Sequence, residues 1–414
     1  MSAATAPAGR PLEGLRVLDL THAAAGPFAS MFLGDLGAEV IKVEKPKGGD
    51  GARTMGVPMP GFGPKDSDYF VALNRNKRGI VVDLGRPEGQ ALVREMVPSC
   101  DVVLENFRPG VTERLGLGFE QLRGLRRGLV YASISAFGPR GPWSERPAND
   151  IIMQSVSGLM GITGEVGGGP VRIGAPISDF SSGLFMLSGV LAALFARERH
   201  PEGQHVQVAM LEASLNMMAN YVPSVATLGA RVGRLGRGHA QIVPYQAFAC
   251  ADGEYLMIGA FTRGFWHNLC RALGRDAWIA DPRFVTNAAR LANRAELVGL
   301  LEAIFATKPR EAWSAIMTEA DVPNSPVYEL HDAIRSEQVV HLGSLIEVGE
   351  GARSVTLARS PMRVAQWGPD RVEPAPGPGR DTRAVLREVL GRDDAAIDAL
   401  AAAGVVDLGA RGAD

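Results

Sequence analysis

Cysteine is scarce. The 414-residue chain has three, Cys100, Cys250 and Cys270, and no two of them form a C-x-x-C pair. A disulfide framework and a zinc ribbon therefore lack support. The seven histidines show no H-E-x-x-H or similar ligand spacing, so no metal is expected. No charge of one sign dominates: 43 Lys and Arg stand against 45 Asp and Glu, a net charge of −2. That balance lacks the basic footprint of a nucleic-acid protein. Long apolar runs are missing too. The longest, Leu184 to Ala196, is about 13 residues and is interrupted by Ser188, whereas a bilayer span needs roughly 20. It reads as a buried helix, and no membrane role is expected. The start, MSAATAPAGRPLEG, has no apolar stretch of signal-peptide type, and a cytoplasmic protein is expected. Neither G-x-S-x-G nor G-x-G-x-x-G occurs, so a serine hydrolase and a nicotinamide dehydrogenase lack their fingerprints.

What is present is ordinary globular material, 46% hydrophobic and 21% charged, long enough for one large and one smaller domain. The first 135 residues alternate in type. Arg16–Leu20, Glu39–Glu44, Ile80–Leu84, Asp101–Leu104 and Leu129–Ile134 read as strands, separated by helical stretches such as Pro27–Leu36. That alternation predicts βαβ units and a parallel sheet. The expected class is α/β, with a Rossmann-like large domain whose ligands bind outside the carboxyl ends of the strands. A long apolar helix follows, Phe180 to about Arg197, then a strand-like His205–Leu211. The Gly- and Arg-rich stretch Gly229–His239 reads as a linker into a smaller α+β domain, with strands at Tyr245–Phe248 and Tyr255–Ile258.

Four segments hold residues that could carry chemistry. Thr21 to Pro27 is a small-residue loop at a strand end, open to an anion or equally a plain tight turn. Asn74 to Arg78 places three cations within four residues, for phosphates or simply for water. Asn106, Phe107 and Arg108 lie where the ligand crevice belongs and suit a purine and a phosphate, or an ordinary loop. Asp179 reads as the N-cap of the long apolar helix, whose dipole favours the ionised carboxylate. It is a plain cap or a nucleophile toward an activated acyl group.

The runs VLDLTHAAAGPFASMFLGDLGAEVIKVEKP, LNRNKRGIVVDL, ENFRPGV and PISDFSSGLFMLSGVLAAL resemble the class III CoA-transferase family (CaiB/BaiF type, formyl-CoA transferase-like). IVPYQAF and the final AAGVV resemble it as well, so the likeness spans nearly the whole chain. The resemblance implies an interlocked ring homodimer. Residues 1–224 and 341–414 would build the large domain and 225–340 the small one. It implies transfer of CoA from an acyl-CoA, weighted toward succinyl-CoA, to a free carboxylic acid through an aspartyl-CoA thioester on Asp179. CoA and acyl-CoA would be substrates, with no tightly bound cofactor. Matching CoA-binding positions are Lys45, Asn74, Lys77, Asn106, Phe107, Arg108, Arg114, Asn149 and Asp150. The substrate pocket would hold His22 and Ala24, with Gly259 and Ala260 in a short glycine loop. Ala24 stands where oxalate/formate members carry Gln, which argues against that pair. Asn149 stands where the racemase branch carries His, which argues against proton transfer. Arg172 and Arg263 are candidates for a second carboxylate. An acyl-CoA epimerase of the same fold and a non-catalytic CoA-binding protein stay open as alternatives.

Overall fold

The strand-like segments of the first 210 residues pair into one sheet in the computed structural model, which describes residues 9–63, 66–368 and 372–409. The strands are β1 (Arg16–Asp19), β2 (Glu39–Glu44), β3 (Lys77–Val82), β4 (Val102–Glu105), β5 (Val130–Ser135) and β6 (Gln204–Ala209). They lie in the order β3-β2-β1-β4-β5-β6, all parallel. The chain builds outward from β1 on one side, then returns to build outward from β4 on the other. That reversal opens a crevice at the carboxyl ends of β1 and β4.

Successive strand residues face opposite sides, and both sides are covered. Val17, Val40, Val102 and Ala132 pack with the helices Ala25–Asp35 and Ile177–Arg197. Leu18, Ile41, Val103 and Tyr131 pack on the other face with the helix Pro87–Met96. Two-sided burial is why these strands read as nearly continuous apolar runs. The helices Ala25–Asp35 and Ile177–Arg197 approach closely at Gly183, where a Cβ would stand 2.5 Å from the Ala25 carbonyl oxygen. Gly183→Ala is therefore expected to cost about 1–3 kcal/mol by overpacking, read as a lower urea midpoint.

Ile177–Arg197 is also long and apolar enough, by length and composition, to cross a membrane. One side of it, with Met186, Val190 and Ala193, is buried in the large unit's core. Leu184, Phe185 and Phe195 are exposed.

The chain divides into two compact units. The smaller contains Leu159–Arg172 and Tyr221–Val340. Its strands β7 (Tyr245–Ala249), β8 (Tyr255–Gly259) and β9 (Asn324–Pro326) form an antiparallel sheet. Helices Arg263–Ala272, Arg294–Phe305 and Arg310–Glu319 enclose a core of Phe248, Trp266, Phe305 and Trp313. The chain then rejoins the large unit from His341 onward. There β10 (Leu345–Val348) and β11 (Val355–Ala358) form a hairpin, and β12 (Val406–Asp407) adds a seventh, antiparallel strand beside β3. The segment Leu159–Arg172, expected in the large domain, clusters with the small unit instead. Its Gly-rich composition carries no periodicity that could have assigned it.

Candidate active site

The loop after β1 is held in a conformation it would not adopt alone. Ala23 has φ 64°, a left-handed geometry that costs a residue with a Cβ about 1–2 kcal/mol. Three side chains, making four hydrogen bonds, hold the loop there. The Ala23 N–H donates to Asp50 Oδ1 at 2.9 Å. The Asn106 amide accepts from the His22 N–H and donates to the His22 carbonyl, both at 2.8 Å. Lys42 Nζ donates to the Thr21 carbonyl at 2.8 Å. Asn106 follows β4, so its side chain ties the two loops of the crevice together.

Beneath the loop lies a fully buried charge network. Lys42 pairs with Asp50 at 2.8 Å, and Lys77 with Asp19 at 3.2 Å. Buried charges are tolerated only when paired and hydrogen-bonded, and Asp19 also takes the Thr21 and Ser30 hydroxyls. Burial alone would raise the Asp19 pKa; Lys77 and Lys42 outweigh it and hold the carboxyl well below the usual range. Burial pushes Lys77 down to about 8, with Asp19 opposing that only in part.

Asp179 is the third residue of the helix Ile177–Arg197 and not its cap, as the sequence had suggested. The cap comes from another helix. Asp150 Oδ1 accepts the N–H groups of Ser178 at 2.8 Å and Asp179 at 3.3 Å. Gln154 Nε2 steadies the other Asp150 oxygen at 2.6 Å. Asn149 in turn caps the helix Asp150–Ser157 by accepting the Ile152 N–H. With Asp150 serving its helix end, the Asp179 carboxylate receives no donor or cation among the described residues. Burial, then the Asp150 charge, push its pKa up to about 7. The expectation that the helix end keeps it ionised is thereby corrected: the dipole's benefit is outweighed. Burial, then Asp179 and Asp150, likewise lift the Tyr69 phenol to about 12.

Asp179 opens into a cleft of about 330 Å³ at the crevice. The expected residues His22, Ala24, Asn106, Phe107, Arg108 and Asn149 line it with Asp179. The His22 ring meets Phe107 edge-on at 5.7 Å. Ala24 and Ala25 bring in the first turn of the helix Ala25–Asp35, which has no side-chain cap. Its unpaired N–H groups favour an anion.

The other expected residues lie elsewhere. Asn74 and Lys77 are buried side chains, not cleft residues: Lys77 Nζ donates to Asn74 Oδ1 at 2.8 Å and to the Pro27 carbonyl at 3.1 Å. Strand alternation turns Lys77 inward, so it supports the β1 loop from below. Lys45 and Arg114 are exposed outside the cleft lining, and Asp150 acts behind it as the helix cap. Gly259 and Ala260 belong to the smaller unit. Gly259 ends β8 in the smaller unit, donating to the Pro323 carbonyl at 2.9 Å, and Ala260 donates to the Pro244 carbonyl at 3.1 Å. Arg172 and Arg263 also belong to the smaller unit. Sequence reasoning missed Met55, Tyr69, Ser135 and Arg146, all of which line the cleft. Arg146 stacks on Trp143 at 4.9 Å. A Pro-rich, non-periodic stretch around Arg146 was the only signal available.

A doubly wound sheet with a half-buried, unpaired carboxyl at its switch point is the arrangement of an α/β ligand-binding protein or enzyme. Residues 12–382 match CoA-transferase family III, and the chain belongs to that family. It is 37% identical over 399 residues to succinyl-CoA:glutarate CoA-transferase from Mus musculus, covering 96% of this chain and 91% of that one. It is 36% identical to succinate–glutarate CoA-transferase from Agrobacterium fabrum, covering 92% and 96%. The crystal structure of a CaiB/BaiF family protein from Brucella suis superposes with a TM-score of 0.81 at 34% identity, covering 92% of this chain and 100% of that one. The protein is a CoA-transferase, with CoA thioesters and carboxylic acids as its substrates.

Proposed function

We propose that this CoA-transferase works through a covalent intermediate on Asp179, with succinyl-CoA as donor and a dicarboxylic acid such as glutarate as acceptor. The single observation that carries the mechanism is the Asp179 carboxyl, half-buried in the cleft with no donor or cation on it among the described residues. A desolvated carboxylate is a stronger nucleophile than a hydrated one. Its oxygen attacks the thioester carbonyl carbon, the C–S bond breaks, and CoA leaves as the thiolate from a mixed anhydride. The thiolate attacks the aspartyl carbonyl and breaks the anhydride C–O bond, releasing the donor acid and leaving aspartyl-CoA. The acceptor carboxylate repeats these steps in reverse. No bond is lost to water, so the thioester energy is retained. The unpaired N–H groups of Ala24 and Ala25 suit the oxyanion of each tetrahedral step.

The donor and acceptor rest on the named activities of the relatives. Incubating the enzyme with succinyl-CoA and a panel of mono- and dicarboxylic acids, read by mass spectrometry, tests them. Glutaryl-CoA is expected among the products, and its absence beside active turnover of other acids would overturn the acceptor. An epimerase has less support, because Asn149 cannot exchange a proton and serves as a helix cap.

Because the nucleophile must be ionised, kcat/KM should rise as the pH passes through about 7. Asp150→Asn keeps a cap oxygen and removes the neighbouring charge. The acid limb should then move to lower pH, in part only, since burial is the larger cause. An unmoved limb would show that Asp150 does not tune Asp179.

The exposed apolar side chains Leu184, Phe185, Phe195, Leu215 and Met217 support an interlocked homodimer that covers them. Linked rings cannot part while folded. Mass photometry at nanomolar concentration should therefore show dimers alone, and folded monomers would refute the linkage.

A further inference from the structure

Behind the Phe107–Pro109 loop lies a second, smaller cavity of about 120 Å³. Phe107, Arg108 and Pro109 line both this cavity and the Asp179 cleft, so the loop is their common wall. The far side is polar. Glu105 ends β4 and is only 6% exposed. Strand register places it beside Ser133 on β5, while His205 on β6 stands beside Tyr131. Alternation then puts Glu105, Ser133 and His205 on one face of the sheet. Glu105 Oε2 accepts the Phe107 N–H at 2.8 Å. Ser133 Oγ, beside Glu105 in the register, hydrogen-bonds His205 Nε2. The His205 ring is fixed in turn by Tyr131 and Phe119, each 5.1 Å away.

We infer that Glu105 is a positioning residue for acyl-CoA binding: buried at the end of β4, its carboxyl holds the Phe107 backbone and so sets the Phe107–Arg108 wall of the cleft. This rests on the reading of that loop as a CoA contact. The neighbouring Asn106 is already fixed by its two bonds to His22. Glu105 supplies the next anchor along, at the Phe107 N–H, so two successive residues leading into the turn are held. No cation pairs with Glu105 among the described residues, and burial pushes its pKa up to about 7. A carboxyl kept in that setting is costly to the fold, which is reasonable for a group needed at this hydrogen bond and surprising for one that merely fills space.

Three variants test the inference, with KM for succinyl-CoA and kcat measured separately. Glu105→Leu removes the acceptor from a buried N–H. An N–H left without its acceptor should raise KM for the acyl-CoA about tenfold or more, with kcat and the acceptor's KM little changed. Glu105→Gln keeps an acceptor oxygen and should restore KM to near the wild-type value. Arg108→Ala reports on the loop itself. If Arg108→Ala raises KM and Glu105→Leu does not, the loop contacts CoA but Glu105 does not position it, and the inference fails. If neither raises KM, the reading of the loop fails and takes the inference with it. A fall in kcat with an unchanged KM, or a Gln variant as impaired as the Leu variant, also overturns it. Should Glu105→Leu not fold, Glu105→Ala removes the same acceptor with a smaller side chain. The same rise in KM is expected, and an unchanged KM counts against the inference.

Discussion

Asp179→Asn is expected to reduce CoA exchange by about a thousandfold or more, as loss of a covalent nucleophile does in other acyl-transferring enzymes, and to leave the fold intact. The amide has the size of the carboxyl but cannot attack a thioester. The stability side follows from the environment of the carboxyl. Its pKa rises from the usual 3.8 to about 7 in the folded protein, so the fold disfavours the ionised form. For a group shifted upward, the stability present at low pH is lost as the pH rises through the folded value. At pH 8 the wild type carries that penalty and the Asn variant does not. Denaturation midpoints at pH 8 should therefore be equal or higher in the variant, while exchange of labelled CoA is lost. A variant that is destabilised yet exchanges CoA at the normal rate would reduce Asp179 to a structural residue.

The second expected result is a trapped intermediate. Mixed with succinyl-CoA and no acceptor, the enzyme should accumulate CoA as a thioester on Asp179. Hydroxylamine should convert that residue to a hydroxamate and borohydride should reduce it to the alcohol, each giving one defined mass shift on the peptide that contains Asp179. An acid/base enzyme forms no such adduct, because its carboxyl only moves protons, and a binding protein forms none. Trapping should fail in Asp179→Asn. Absence of the adduct with a donor proven to support turnover would sink the covalent route.

The large domain was legible because its signal is local and repeated. β1 to β5 are apolar runs buried on both faces and set off by helices, and that pattern survives without knowledge of contacts. The Thr21 and Asn106 segments were likewise placed at strand ends, which is where the crevice opens. β9 to β12 escaped because they are short and only partly buried, so, unlike the equally short β1 and β4, they are not continuous apolar runs.

By itself the sequence determined the parallel α/β class, the family, and a set of polar residues near strand ends with Asp179 at a helix start. Only the tertiary structure decided which of them line the cleft. Lys77 and Asn74 turned inward to a charge network because a strand sends alternate side chains to opposite faces, and nothing local says which face meets a ligand. Asp150 became the cap of the Asp179 helix through hydrogen bonds across 28 and 29 residues of chain, a pairing set by helix packing. The raised pKa of Asp179 belongs to the same level. Helix position alone predicts a stabilised anion, whereas burial and a neighbouring charge, which exist only after folding, reverse the sign.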